Sequence, residues 1–364
     1  MRFGLNFFPS FRLKDLSTAD YYDQSIRLAQ RADQLGYASA KAVEHYFHEY
    51  GGHTVNPIVL LTAIAAHTRR MRPITGAVIP AFNHPIKLAG ELAMLDNLSR
   101  GRLDAGFGRG FIPVEFDAFQ VPMEESRERF TEGIEVIRRL WTEDRVTHAG
   151  KFHQFQNVHL MPRPVQQPHP PIWIAAVATP DSFVWAGQKG YHLMIVPFAG
   201  KLERNIDLVR MYRQAWAEAG HAGQPQIQMS VHCYVAETTK EALAGFNKPV
   251  QRYIEVFSEA VESWRGRAHG PYAGYQKVME AIQSQTPEGM IEGKVAFVGS
   301  PNEVVDQIQE MVDAFGEVEP SMQINFGAIR DDEAFRTLEL FARHVMPRFL
   351  KTGGGEGAKK VGLG

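Results

Sequence analysis

Short runs of β-branched and apolar residues alternate along this chain with longer stretches whose apolar positions recur every three to four residues. Runs of the first kind fall at 2–8, 37–43, 73–80, 103–108, 172–176, 193–198, 227–236 and 321–326 and read as strands. Helical spacing follows near 20–35, 56–68, 84–99, 126–142, 180–189, 201–219, 239–263 and 301–314, with a last helix near 332–350. Eight strands, each succeeded by a helix, predict an α/β fold of the (β/α)8 TIM-barrel kind. A doubly wound open sheet is the runner-up.

The even spacing breaks twice. Residues 143–171 end in the proline-rich "LMPRPVQQPHPP", and residues 264–298 form a second excursion before the last βα unit. Excursions of this length in a compact domain are expected to be lids or insertions. Residues 1–350 therefore read as one domain, followed by a flexible tail at 351–364, "KTGGGEGAKKVGLG".

Composition narrows the partners. A formal charge of −2 and a charged fraction of 22% give no electrostatic reason to expect nucleic acid. No stretch reaches the ~18 apolar residues of a membrane span, so none is expected to enter one. The single cysteine, Cys233, lies in a β-like run and reads as a buried structural thiol in a reducing cytoplasm.

Several stretches carry candidate chemistry. "VEHYFHEYGGHTVNP" at 43–57 holds three histidines, but the Gly51-Gly52 pair and Pro57 split it into strand end, loop and helix start. No HExxH and no cysteine partner it, so no metal is expected. Glu44 and His45 fall where the second strand should end, on the face where barrels do their chemistry, and a histidine there can serve as a general base. His48, Glu49 and His53 read as members of a solvated loop.

"DAGFGRGF" at 104–111 misses the dinucleotide fingerprint by its glycine spacing, yet alternating glycines at a strand end let a flat ligand approach the backbone. Arg109 stands beside them. In "AAVATPDSF", Thr179 looks like an N-cap, Pro180 the first helical residue and Ser182 part of the first turn. Two hydroxyls at a helix N-terminus with Arg109, and Arg127 of "SRERF" turned inward, suit a phosphate. The small residues Gly76 and Ala77 in "TGAVIP" read as tight packing or as a platform for a planar ring.

With these pieces in place, the chain resembles the bacterial luciferase-like flavin monooxygenase family over nearly its whole length. The likeness rests on "MRFGLNFF", "AVEHYFHEYGGHTVNP", "SRERF", "FARHVMPRF" and above all "TGAVIPAFNHPIKLAGELAMLDNLSRGRLDAGFGRGF". The resemblance implies a TIM barrel with a mobile lid at roughly 264–295. It implies reduced FMN as diffusible co-substrate, or the deazaflavin F420 in some branches. His45 is then the base near the flavin. Arg109 and Arg127 bind its phosphate, with backbone and hydroxyl contacts from Ala178, Thr179 and Ser182, and a cis peptide at Gly76–Ala77 lies beneath the ring. Helices 56–68 and 84–99 correspond to a homodimer interface.

Two departures separate the chain from light-emitting members: Tyr46 stands where luciferase has a second histidine, and Gly108 where it has a cysteine. The expected reaction is oxygenation of a small organic substrate by a C4a-hydroperoxyflavin, the reduced flavin arriving from a separate reductase. Phe7, Phe8, Phe11, Phe82, Phe111 and Phe198 give the strand ends an aromatic rim. Of these Phe8, Phe82, Phe111 and Phe198 are the candidate substrate contacts, and they suit an apolar or aromatic substrate. An F420-dependent dehydrogenase and a non-catalytic flavin binder are the alternatives.

Overall fold

The computed structural model describes residues 1–197, 202–265, 267, 280–281 and 283–350. Its strands are β1 (Gly4–Phe7), β2 (Ser39–Ala42), β3 (Arg72–Thr75), β4 (Ala105–Phe107), β5 (Val146–Ala149), β6 (Gln154–Val158), β7 (Ile172–Ala176), β8 (His192–Ile195), β9 (Ile227–Val235), β10 (Ala296–Gly299) and β11 (Glu319–Gln323). The principal sheet runs β3-β2-β1-β11-β9-β8-β7-β4, with all pairs parallel. Its two ends meet through bridges Ile74–Asp104 and Val78–Phe107, so the sheet closes into a barrel and the open-sheet alternative falls.

Closure at β3–β4 relies on one side chain. Thr75 Oγ accepts from the Gly106 amide at 2.7 Å and donates to the Gly106 carbonyl at 2.9 Å. A Cβ on Gly106 would lie 1.9 Å from the Thr75 carbonyl oxygen, so only glycine permits the approach. The first glycine of "GFGRG" thus serves the wall of the barrel rather than a ligand.

The helices are α1 (Thr18–Leu35), α2 (Pro57–His67), α3 (Pro85–Leu98), α4 (Pro113–Ala118), α5 (Ser126–Thr142), α6 (Pro180–Gln188), α7 (Leu202–Glu218), α8 (Thr239–Val261), α9 (Pro287–Glu292), α10 (Pro301–Phe315) and α11 (Asp331–Leu340). Capping accounts for many of their starts: Ser17 and Asn56 each accept a first-turn amide, and Thr238 with Glu241 forms a capping box. Phe3, Leu5 and Phe7 face outward into the main core with the helices, while Ile74, Trp173 and Met194 form a separate cluster inside the barrel. None of the described helices is long and apolar enough to cross a membrane.

Both excursions, expected as lids or insertions, contain regular elements. Residues 143–171 contain the β5–β6 hairpin, whose turn is strapped to α5 by Glu132 accepting the amides of Phe152 and His153. The proline-rich part is pinned to α3, with Gln166 donating twice to Asp96 at 2.7 and 3.0 Å. In the second excursion α9 and β10 are regular, and β10 joins the sheet beside β9. Residues 268–279 of the expected lid, and the tail at 351–364, lie outside the described residues. The family-like "FARHVMPRF" packs on the first strand, with Phe341 and Phe349 edge-on to Phe3 at 5.1 and 6.1 Å.

At the end of α1, Asp33 accepts the amides of Arg69, Arg70 and Met71 at 2.6–3.0 Å. Burial alone would raise its pKa, but these amides and Arg70 hold it below 3.8. A depressed carboxylate adds stability above its unfolded pKa and loses it as pH falls through the folded one. Asp33→Ala should therefore cost about 2–4 kcal/mol in urea unfolding at pH 7. The gap from wild type should narrow as pH falls below about 4; a gap constant with pH overturns the assignment.

Candidate functional site

At the C-terminal ends of the strands lies a cavity with about 990 Å³ of empty space, partly open to solvent. That is the catalytic face of the barrel architecture. The cavity gathers contributions from every side: Asn6 on β1 and Phe8 just after it, His45 after β2, Gly76 and Ala77 after β3, and Gly108 to Phe111 after β4. Thr179 and Ser182 enter from α6, and Ser230, Tyr253 and Gln323 complete the floor and far wall.

His45 is held on three sides. Phe8, Tyr50 and Phe111 surround its ring with centroids 5.5–5.8 Å away. Gly51, at φ +77°, brings the loop onto the ring so closely that a Cβ would sit 2.6 Å from Cδ2. Nδ1 lies 3.0 Å from Oε1 of Glu115, a carboxylate fully buried on α4, which also accepts the Tyr46 amide at 2.9 Å. A carboxylate at Nδ1 fixes the proton there and leaves Nε2 as an acceptor toward the cavity.

The neighbouring Glu44 turns away from the ring. It accepts from Tyr46 Oη at 2.7 Å, the Ile79 amide at 2.9 Å and Asn83 at 3.0 Å, tying the end of β2 to the segment after β3. Burial raises its pKa to about 7 against these hydrogen bonds. The other two histidines do not ride on a solvated loop. His53 is half-buried, stacks on Phe11 at 4.3 Å and meets Thr18 at 3.0 Å, while His48 is also half-buried. Arg12 pairs with Glu49 of this loop and Glu259 of α8, both at 2.6 Å, fastening the His45 side to the helix carrying Tyr253.

On the opposite rim, α6 begins as its sequence suggests, with Thr179 at the N-cap and Pro180 at N1. The Thr179 side chain makes no capping bond, so its hydroxyl is available to a ligand. Arg109 lines the same rim, and the peptide between Gly76 and Ala77 is cis. Arg127 is partly exposed in the first turn of α5 and does not line the cavity. Nor does Ala178, whose carbonyl accepts from Arg204 at 3.0 Å. Phe82 stacks with Phe119 at 4.8 Å outside the cavity, Phe7 and Phe11 are core, and Phe198 lies outside the described residues. Phe8 and Phe111 are lining residues.

Sequence reasoning passed over Glu115, Lys41, Ser230, Tyr253 and Gln323. A signal existed for some. Strands of a parallel barrel are buried on both faces and should be apolar throughout, yet Gln228, Ser230 and His232 alternate through a fully buried β9. That period of two marks a polar barrel interior.

The luciferase-like monooxygenase family model matches residues 1–317. The oxygenase component of a flavin-dependent trigonelline monooxygenase from Acinetobacter baylyi is 32% identical, the alignment covering 97% of this chain and 96% of that one. The structure of the monooxygenase RslO1 from Streptomyces bottropensis is 41% identical with a TM-score of 0.86, covering 96% of this chain and all of the other. The oxygenating constituent of a 3,6-diketocamphane monooxygenase from Pseudomonas putida, solved with FMN, shares the fold at a TM-score of 0.80 and 24% identity, covering 96% and 99%. Together with a closed barrel whose catalytic face carries an oriented histidine, these matches place the chain in the luciferase-like flavin monooxygenase family.

Proposed function

We propose that this enzyme uses reduced FMN and dioxygen to insert one oxygen atom into an apolar or aromatic small molecule, a separate reductase supplying the flavin. The supporting observation is that one cavity joins a phosphate-suited rim to a carboxylate-oriented imidazole across a ring of aromatic side chains. The residues fit such a cofactor. Uncommitted hydroxyls at a helix N-terminus beside Arg109 match a phosphate, and the small Gly76, Ala77 and Gly108 leave a flat surface between rim and floor. Arg127 would reach the phosphate by turning inward, and Ala178 would offer its backbone.

When bound, the reduced flavin supplies the electrons and the site at which dioxygen is activated. The chain's own groups do the rest. Arg109, Thr179 and Ser182 anchor the phosphate. Phe8, Phe111, Tyr50 and Tyr253 exclude water and offer an apolar face to substrate. His45, its Nδ1 proton held by Glu115, takes or returns a proton at Nε2.

The same reading includes a homodimer in the reducing cytoplasm. Helix α2, "PIVLLTAIAAH", is apolar nearly all round, which befits a helix covered on both sides. Yet Val55, Val59, Met94 and Leu98 around α2 and α3 are 51–68% exposed. A second copy of this patch would cover them.

His45→Ala should lower turnover by about 10²–10⁴-fold while the FMN dissociation constant stays within about twofold. Glu115→Gln should cost about 10–10³-fold with the same binding signature; full activity in either variant removes that residue from the mechanism. Anaerobic titration with reduced FMN and reduced F420, followed by oxygen, tests the cofactor. Oxygen-dependent product formation with FMN supports the reading, and binding of F420 alone replaces it with a dehydrogenase. Sedimentation should show a dimer that L98E and V59E convert to monomer; a wild-type monomer overturns the interface.

A further inference from the structure

The barrel interior is divided. On the β3, β7 and β8 side it holds Ile74, Trp173, Met194, Ala77 and Ala175. On the β1, β2, β9 and β11 side it holds Asn6, Ser39, Lys41, Gln228, Ser230, Glu319, Ser321 and Gln323, all buried. Lys41 is the one buried lysine or arginine among the described residues. Its methylenes run beneath Gly76, where a Cβ would fall 2.2 Å from its Cγ and Cδ. Its ammonium donates to Ser230 Oγ at 2.8 Å, and Ser230 lines the cavity floor.

Among the described residues no carboxylate forms an ion pair with this ammonium. The nearest acid, Glu319, is engaged by Arg2 at 2.7 Å, by Gln228 at 3.0 Å and by Ser39. Meanwhile Asn6 Oδ1, Ser321 Oγ and Gln323 Oε1 are buried and have no hydrogen-bond partner among the described residues. Asn6 is the register partner of Lys41, and Ser321 that of Ser230. Asn6 and Gln323 also line the cavity. A buried cation whose nearest carboxylate is already engaged elsewhere, beside orphaned polar atoms, is costly in an isolated fold and makes sense if a ligand completes it.

We propose that Lys41 is a positioning residue that acts through Ser230 to favour the negatively charged form of a ring bound on the cavity floor. The inference rests on the flavin reading above: reduced flavin ionises on its ring, whereas oxidised flavin is neutral there. The pair therefore selects the reduced, anionic cofactor over the oxidised one, and holds a proton at Nζ that Ser230 can relay. Burial, opposed by Glu319, draws the ammonium down to about 7, so both charge states are accessible. The other titratable groups of this interior do not duplicate the role: burial keeps His232 neutral, near 3, Glu319 is paired, and His45 belongs to the mouth.

The test compares wild type, Lys41→Met and Ser230→Ala by anaerobic titration with oxidised and reduced FMN. The near-ultraviolet spectrum of the bound reduced flavin is followed from pH 5 to 9. In wild type the reduced form should bind more tightly and remain anionic at the acid end. Lys41→Met should shrink the reduced-over-oxidised preference by about 10–100-fold and move ring protonation to higher pH. Ser230→Ala, which keeps the charge, should shrink the preference only about two- to fivefold, and serves also if Lys41→Met does not fold. Unchanged preference and spectrum in Lys41→Met overturn the inference while leaving the flavin reading intact, and so does an unchanged Ser230→Ala where that variant stands alone. Failure of wild type to bind FMN in either state removes both.

Discussion

The seam between β3 and β4 is the constraint on which the remaining geometry depends. A parallel barrel needs the two edges of its sheet within hydrogen-bonding distance, and here the edges, β3 and β4, meet over only a few residues. The Thr75 hydroxyl takes the Gly106 amide and adds a second bond to the Gly106 carbonyl. Immediately beyond, the Val78 amide returns to the Gly106 carbonyl and the Gly108 amide to the Val78 carbonyl. Gly76, Ala77 and Gly108, which line the cavity, are therefore set by the same few bonds that close the wall.

From that seam the interior acquires two characters. Its apolar half gives a dry surface, and its polar half concentrates buried groups that ordinary barrel packing would avoid. His45 stands where the two meet the mouth, aimed by a carboxylate from the six-residue helix α4. Orientation of the imidazole thus belongs to α4 and to Gly51, not to the strand that carries the residue. The loop "VEHYFHEYGG" is a mould around one ring, and its other histidines stabilise the mould: His53 by stacking on Phe11, His48 by burial.

The barrel was legible because its eight strands and major helices obey local periodicity and capping. Helix α5 spans 126–142 as the spacing predicts, and Pro180 starts α6 where its ring belongs. The elements that escaped are those whose partners lie far along the chain. Strand β10 is a four-residue run within a polar excursion and exists by pairing with β9; α4 is too short for periodicity to reveal. The same holds at the site. His45 and Arg109 follow from strand ends and motif, whereas Glu115 becomes meaningful only once α4 folds 70 residues back onto β2. Glycines misled in the opposite sense: Gly106 looked like room for a ligand and is room for a strand.

Strand β9 carries β8 and β11 along its first half, and at His232 it is paired with β11 and β10 at once. Up to His232 it bonds to β11, and from His232 onward to β10. Above that fork the wall between β9 and the segment after β11 is filled by rings: His232 lies edge-on to Tyr253 at 4.3 Å and to Phe326 at 4.6 Å. Ring contacts are weaker and less directional than a backbone ladder, so this part of the wall is held less tightly than the strands below it. The His45 side, bonded by Glu44 and Glu115, is rigid. Under the function proposed above, differences in substrate girth would be taken up at Tyr253, away from His45, and a bulkier substrate would not disturb proton transfer there.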